Sequence, residues 1–170
     1  MTISRRLFVL TAAAGTSVLL QACGGGEDDP GPDIVETLQA NEQFSILVEA
    51  VVAADLVAAL SGDGPFTVFA PTNAAFAELL GELGVTKEAL LASQPLLTQV
   101  LTYHVLNGRL LRAGVPIGAP ITTLQGGTFT VDSDLRITDA RGRLSNIVDT
   151  DVNTSNGVIH VIDRVLLPAA

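Results

Sequence analysis

The side chains best suited to catalysis in this sequence are two histidines and one cysteine. A serine hydrolase would need His104 or His160 beside a nucleophile on a sharp turn, and the chain contains no G-x-S-x-G segment. A zinc site needs clustered ligands, whereas Cys23, His104 and His160 are far apart along the chain. We therefore expect no catalytic residue and no metal site, and we interpret both histidines as parts of the interior.

A second candidate is the acidic run Asp149-x-Asp151-x-Asn153, which has the pattern that opens an EF-hand calcium loop. The sixth position of the pattern is Thr154 where that loop needs glycine. The twelfth position is His160 where it needs a bidentate glutamate. We interpret the run as a polar turn before the last strand. Rossmann and P-loop signatures are also absent, so we expect no cofactor.

The start of the chain has the pattern of an export signal. Arg5 and Arg6 precede an apolar run at residues 7–20, which is shorter than the roughly 20 residues of a membrane-spanning helix. The segment SRRLF at residues 4–8 also resembles the twin-arginine export motif. Residues 1–22 are therefore interpreted as a signal peptide, and the twin-arginine and general secretory routes both remain open.

Cys23 follows this signal directly, in the sequence LQAC. The sequence resembles the bacterial lipobox, in which a signal peptidase cuts before the cysteine and the thiol carries a diacylglyceryl group. A free thiol beyond an ordinary cleavage site is the alternative, but the position of Cys23 at the end of the apolar run favours lipidation. Each buried CH₂ of an acyl chain contributes about 0.8 kcal/mol, so several chains hold a small domain at a bilayer.

Residues 23–32, the lipidated cysteine followed by GGGEDDPGP, are predicted to be a flexible acidic linker. No strand precedes the glycines and no Lys-Ser or Lys-Thr follows them, so they are not interpreted as a phosphate cradle. No aspartate follows Cys23 directly, and by resemblance to known lipoproteins this favours sorting to the outer membrane in a Gram-negative host. We expect an exported protein that is lipid-anchored to the cell envelope, with the outer membrane or cell surface favoured.

The charge of the chain excludes one class of partner. The formal net charge is −9, and two of the nine basic residues, Arg5 and Arg6, lie in the export signal. A surface with so many acidic groups repels phosphate backbones, and no basic stripe offsets it. Nucleic-acid binding is therefore not expected.

The hydrophobic pattern predicts helices first and strands afterwards. Phe44, Leu47, Val48, Val51 and Val52 recur at helical spacing, in a helix that continues to about residue 60 with a break near residue 55. Beyond residue 104 the period approaches two, with strand candidates that include residues 110–111 and 158–165. This order predicts an α+β domain with a mostly antiparallel sheet at residues 33–168.

Three segments of this domain resemble the fasciclin family. They are GPFTVFAPTNAAF at residues 64–76, LTYHVL at residues 101–106 and NGVIHVIDRVLLP at residues 156–168. Their order and spacing match the family from residue 33 to residue 168. In physical terms, the first joins a strand to a capped helix, the second joins a helix to a strand, and the third opens on an Asn-Gly turn.

The resemblance implies a wedge-shaped β-sandwich with helices packed at one end and side. It also implies a role in cell adhesion or contact with extracellular matrix, and a protein that is not an enzyme. The tyrosine–histidine pair of the family falls on Tyr103 and His104. Two roles are open for this pair: a structural one, which we favour, and direct contact with a partner.

Two hypotheses follow for function. The first is a binding module that presents the domain to a protein or polysaccharide partner at the envelope, in the matrix or on a neighbouring cell. The alternative is a periplasmic small-ligand-binding or enzymatic accessory protein. A deep polar pocket beside His104 or His160 would favour the alternative, whereas histidines enclosed in the core would favour the first.

Overall fold

The computed structural model describes residues 31–169, so the predicted signal peptide and Cys23 lie outside the described residues. Helices dominate the first half of the described chain and strands the second. The helices are α1 (Ile34–Gln39), α2 (Ser45–Ala53), α3 (Val57–Leu60), α4 (Asn73–Leu83), α5 (Lys87–Ala92) and α6 (Gln94–Tyr103), with 3₁₀ turns at Glu42–Phe44 and Arg112–Gly114. The strands are β1 (Phe66–Pro71), β2 (Val105–Asn107), β3 (Pro120–Thr122), β4 (Thr128–Val131), β5 (Arg136–Thr138), β6 (Leu144–Thr154) and β7 (Gly157–Ile162). Within residues 31–169, no helix has the length and apolar character needed to cross a bilayer.

Local side-chain caps start three of the helices. Asp33 accepts the N–H of Glu36 at the start of α1, and the Glu36 side chain returns a bond to the Asp33 N–H. Thr72 caps α4 and Thr86 caps α5 in the same way, each through the N–H three residues ahead. These bonds satisfy N–H groups that have no partner inside the helix.

The strands form one seven-stranded sheet in the order β2-β1-β7-β6-β5-β4-β3. Neighbouring strands are antiparallel except β1 and β7, which run parallel from the pair Phe66–Gly157 to the pair Pro71–Ile162. The predicted α+β class and the mostly antiparallel sheet are confirmed, and every residue of β7 is buried.

The two faces of β1 and β7 belong to two different cores. Val68 and Ala70 of β1 face the helices, where they pack with residues of α1, α2, α4 and α6. Phe69 lies between them in sequence and points to the opposite side, into the concave face of the curled sheet with Phe129 and Ile137. This inner core is aromatic, with the rings of Phe69 and Phe129 edge to face at 5.2 Å.

Three local predictions are wrong. Residues 110–111 do not form a strand, because the chain there leaves the sheet and enters the turn Arg112–Gly114. The acidic run at residues 149–153 lies inside β6 and is not a turn. It is irregular there, with register shifts on both sides of Asp149 and a φ of 59° at Asp151. The last strand ends at Ile162 and does not continue to residue 165.

Candidate functional site

Tyr103 ends helix α6 inside the curled sheet, where none of its surface is exposed. Its hydroxyl donates to the carbonyl of Thr128 at 2.7 Å and accepts the N–H of Ala140 at 3.0 Å. Burial raises the pKa of this hydroxyl. The ring packs edge to face against Phe129. In this structure Tyr103 therefore holds the loops around β4 and β5 against the end of α6.

His104 follows at the junction of α6 and β2 and is 2% exposed. Its Nδ1 lies 2.7 Å from the carbonyl of Val100, so Nδ1 carries the proton and donates. Its Nε2 accepts the N–H of Leu166 at 2.9 Å. Burial lowers the pKa of His104 to about 4, which keeps the ring neutral near pH 7. Both ring nitrogens are thus committed to backbone groups.

His160 lies in the middle of β7 and is fully buried. Its Nε2 donates to the carbonyl of Leu110 at 2.7 Å, and its Nδ1 accepts the N–H of Asp151 at 3.4 Å. The ring stacks on Phe69 with centroids 5.3 Å apart. His160 therefore supports the irregular part of β6 on one side and the segment after β2 on the other.

The predicted site residues do not converge on an open cleft in the part of the chain that the structure describes. The cavity beside His104 has a volume of about 10 Å³, roughly that of one water molecule. Within residues 31–169 no three His, Cys, Asp or Glu side chains are grouped as metal ligands would be. Oxygens of the acidic run in β6 already bond to the protein's own backbone, since Asp149 accepts the N–H of Thr150 and Asp151 accepts the N–H of Arg112 at 2.7 Å.

Two other buried polar residues have central structural roles that the sequence did not reveal. Asn156 accepts the N–H of Ile34 and donates to the carbonyls of Leu60 and Gly62. Asp139 accepts three backbone N–H groups, including that of Leu167 near the end of the domain. Polar residues in turns are so common that nothing in the local pattern distinguishes these two.

The low pKa of His104 makes the stability of the domain depend on pH. An unfolded histidine titrates at about 6.5, so below that pH the unfolded chain binds a proton that the folded chain excludes. The stabilisation is complete above pH 6.5 and is lost as the pH falls from there towards 4. A difference of 2.5 pH units corresponds to about 3 kcal/mol in the free energy of unfolding.

Urea unfolding at a series of pH values between 7.5 and 4 measures this loss. In His104→Gln the titrating group is removed, so the slope between pH 6.5 and 4 is expected to flatten even though the variant is less stable at pH 7. An equal slope in both proteins would show that another group is responsible.

The structure is an α+β domain in which the buried side chains of Tyr103, His104 and His160 form hydrogen bonds with backbone groups. The family model described as "Fasciclin domain" matches residues 42–168. Protein sll1483 of Synechocystis is 46% identical over 143 residues, covering 82% of this chain and 76% of that protein. Immunogenic protein MPB70 of Mycobacterium bovis is 33% identical, in an alignment that covers 99% of this chain and 97% of MPB70. The chain belongs to the fasciclin family.

Two further comparisons extend to animal proteins. Human periostin is 34% identical over 138 residues, which are 81% of this chain and 16% of periostin. A solved FAS1 domain pair from the insect cell adhesion molecule fasciclin I has a TM-score of 0.70 at 16% identity, over 80% of this chain and 51% of that one. This last likeness concerns the fold alone.

Proposed function

We propose that this protein is a binding module of the cell envelope that mediates adhesion or contact with matrix, and that it is not an enzyme. The observation that carries the proposal is the enclosure of both histidines, whose ring nitrogens are all bonded to the protein's own backbone. A domain built in this way interacts through its surface. Fasciclin I, which shares this fold, is described as a cell adhesion molecule, and we infer the same kind of role here through membership of the family.

The alternative, a small-ligand-binding or enzymatic accessory protein, has less support. It requires a deep pocket with converging polar groups beside a histidine. In the described residues, the cavity at His104 has the volume of one water molecule, and its other lining residues are apolar.

Attachment of cells to surfaces tests the proposed function. Cells that lack the gene are expected to attach less well than wild-type cells to at least one abiotic surface or matrix polymer, and a restored copy should recover attachment. A Gly81→Ala copy is a suitable control, because the added methyl group meets no atom within 4 Å. Equal attachment with and without the gene across all surfaces would refute the role in adhesion.

We further propose that Cys23 is lipidated and anchors the domain to the envelope. Support comes from the sequence LQAC after an apolar run and from the acidic linker that follows. In Cys23→Ser the thioether cannot form, so the protein is expected to move from the membrane fraction to the soluble fraction. Asp29→Ser changes the linker but keeps the cysteine, and should stay with membranes. Membrane fractionation of Cys23→Ser equal to wild type would refute the anchor.

A further inference from the structure

The two outermost strands of the sheet, β2 and β3, approach each other because the sheet curls. They are linked just beyond the end of β3, where the N–H of Leu124 donates to the carbonyl of Val105 at 2.7 Å. Away from this bond they separate around a surface pocket of about 240 Å³. We name this opening the β2–β3 seam. It is lined by Leu106, Asn107, Gly108, Arg109, Leu110, Pro116, Ile121 and Thr122.

Backbone N–H and C=O groups of both strands point into the seam and away from the neighbouring strands of the sheet. On either side of β2, the carbonyl of His104 and the N–H of Gly108 bond to the β1 segment. Within β2, Leu106 is paired with Thr67 of β1. Because bonding direction alternates along an antiparallel strand, the N–H and C=O of Asn107 point to the seam. The same alternation in β3 directs the N–H and C=O of Thr122 to the seam from the other side.

The surroundings of the seam are apolar. Ile117 is 54% exposed and Leu111 is 40% exposed, and both belong to the segment that borders the pocket. Free strand edges next to exposed apolar side chains favour a ligand in the extended conformation, which adds main-chain hydrogen bonds and places alternate side chains in pockets. The pocket is smaller than the about 300–1,000 Å³ typical of small-molecule sites, so it suits individual side chains of a longer ligand.

The charge at the seam is opposite to that of the rest of the molecule. Residues 105–131 contain Arg109 and Arg112 and no aspartate or glutamate, in a chain of net charge −9. One acidic side chain lies beside the seam, since Asp151 accepts the backbone N–H of Arg112.

The two arginines at the seam are also available for a partner. Among residues 31–169, the other cations except Arg141 form ion pairs with carboxylates, whereas neither Arg109 nor Arg112 does. Nη2 of Arg109 bonds to the carbonyls of Thr154 and Gly157 at the β6–β7 hairpin, and the residue also lines the seam pocket.

We propose that the β2–β3 seam binds an extended segment of a partner protein that carries acidic side chains. The backbone of the segment pairs with the free groups of Asn107 and Thr122, its apolar side chains contact Leu111 and Ile117, and its carboxylates pair with Arg109 and Arg112. The inference rests on the proposed role as a binding module and assigns that role a surface and a class of partner. Charge complementarity and the free strand edges together select an acidic peptide over other ligands.

Fluorescence anisotropy with the purified full-length protein tests the proposal. The probe is a labelled short peptide of alternating valine and glutamate, which is expected to bind. Two matched peptides, one with lysine in place of glutamate and one with proline in place of valine, should not bind. The proline peptide keeps the carboxylates but lacks half of the backbone N–H donors.

Variants of the protein locate the site. Arg112→Gln is expected to weaken binding about three- to fivefold, whereas Arg141→Gln, whose parent also forms no ion pair with a described residue, should bind as wild type does. Asn107→Pro removes the N–H that faces the seam and keeps the bonds to β1, so a loss of about fivefold is expected. Thr122→Pro makes the same test on β3 if Asn107→Pro fails to fold.

Three outcomes would overturn the inference: no binding of the valine–glutamate peptide at millimolar concentration, equal binding of the proline peptide, or equal losses in Arg112→Gln and Arg141→Gln. Binding of a uronate oligosaccharide or anionic vesicles without binding of the peptide would also overturn it. Attachment of cells is measured separately, so loss of the peptide result leaves the proposed role in adhesion standing.

Discussion

Gly157→Ala is expected to lower the free energy of unfolding by at least about 4 kcal/mol. A Cβ at Gly157 would lie 2.1 Å from the carbonyl oxygen of Phe66 and 2.9 Å from Cδ1 of Ile34. Phe66 and Gly157 form the first pair of the parallel β1–β7 ladder. The carbonyl cannot move away without separating the two strands on which both cores are built.

Gly81→Ala is the matched control for this prediction. Gly81 lies inside helix α4, and a Cβ there meets no heavy atom within 4 Å. Since alanine is the better helix former, this variant is expected to gain up to about 1 kcal/mol. Urea unfolding followed by circular dichroism measures both variants. A Gly157→Ala protein within about 1 kcal/mol of wild type would mean that the β1–β7 ladder tolerates the methyl group.

Asn156→Ala is expected to cost about 3–4 kcal/mol. The residue is 8% exposed, and its side chain contacts two distant backbone segments, through the N–H of Ile34 and through the carbonyls of Leu60 and Gly62. Truncation to alanine leaves these buried groups without partners, and each unsatisfied group costs about 1–3 kcal/mol before water or local movement compensates. The start of α1 and the end of α3 then lose their attachment to the turn between β6 and β7.

Asn153→Ala is the control for Asn156→Ala in the same hairpin. Asn153 is exposed and donates one bond, to the carbonyl of Asp151. Its removal is expected to change the free energy of unfolding by about 0.5 kcal/mol or less, as for most surface substitutions. Asn156→Asp keeps the acceptor for Ile34 but places a buried carboxylate oxygen against the carbonyls of Leu60 and Gly62, so near pH 7 it should be at least as destabilising as Asn156→Ala. Equal stabilities of Asn156→Ala and Asn153→Ala would contradict the proposed bridging role.

The Asn156-Gly157 pair illustrates how a correct prediction can have another physical basis. The sequence predicts a hairpin turn at this dipeptide, and β6 and β7 are indeed joined there, with Thr154 paired to Gly157. The turn residues are Ser155 and Asn156, however. Gly157 is already the first residue of β7, and its φ is not positive. Glycine is needed at 157 because β1 approaches it closely, and this contact joins residues 91 positions apart.

The interpretation of Tyr103 and His104 shows a second limit of the sequence. Residue type alone allows a surface contact or a structural role, since both side chains combine an apolar body with polar atoms. Their burial depends on the curl of a sheet whose strands come from both sides of α6 in the chain. The bond from Leu166 to His104 likewise joins residues that only the completed fold brings together.

The sequence by itself determined the α+β order of elements, the capped helix that follows the strand within residues 64–76, and membership of the fasciclin family. These features depend on hydrophobic period and on bonds between residues three positions apart, which a linear pattern contains. The tertiary structure alone decided the parallel pairing of β1 with β7, the hydrogen-bond partners of both histidines and the opening of the β2–β3 seam. Each of these arises from strands distant in sequence that meet when the sheet curls, because burial and free edges are properties of the assembled sheet.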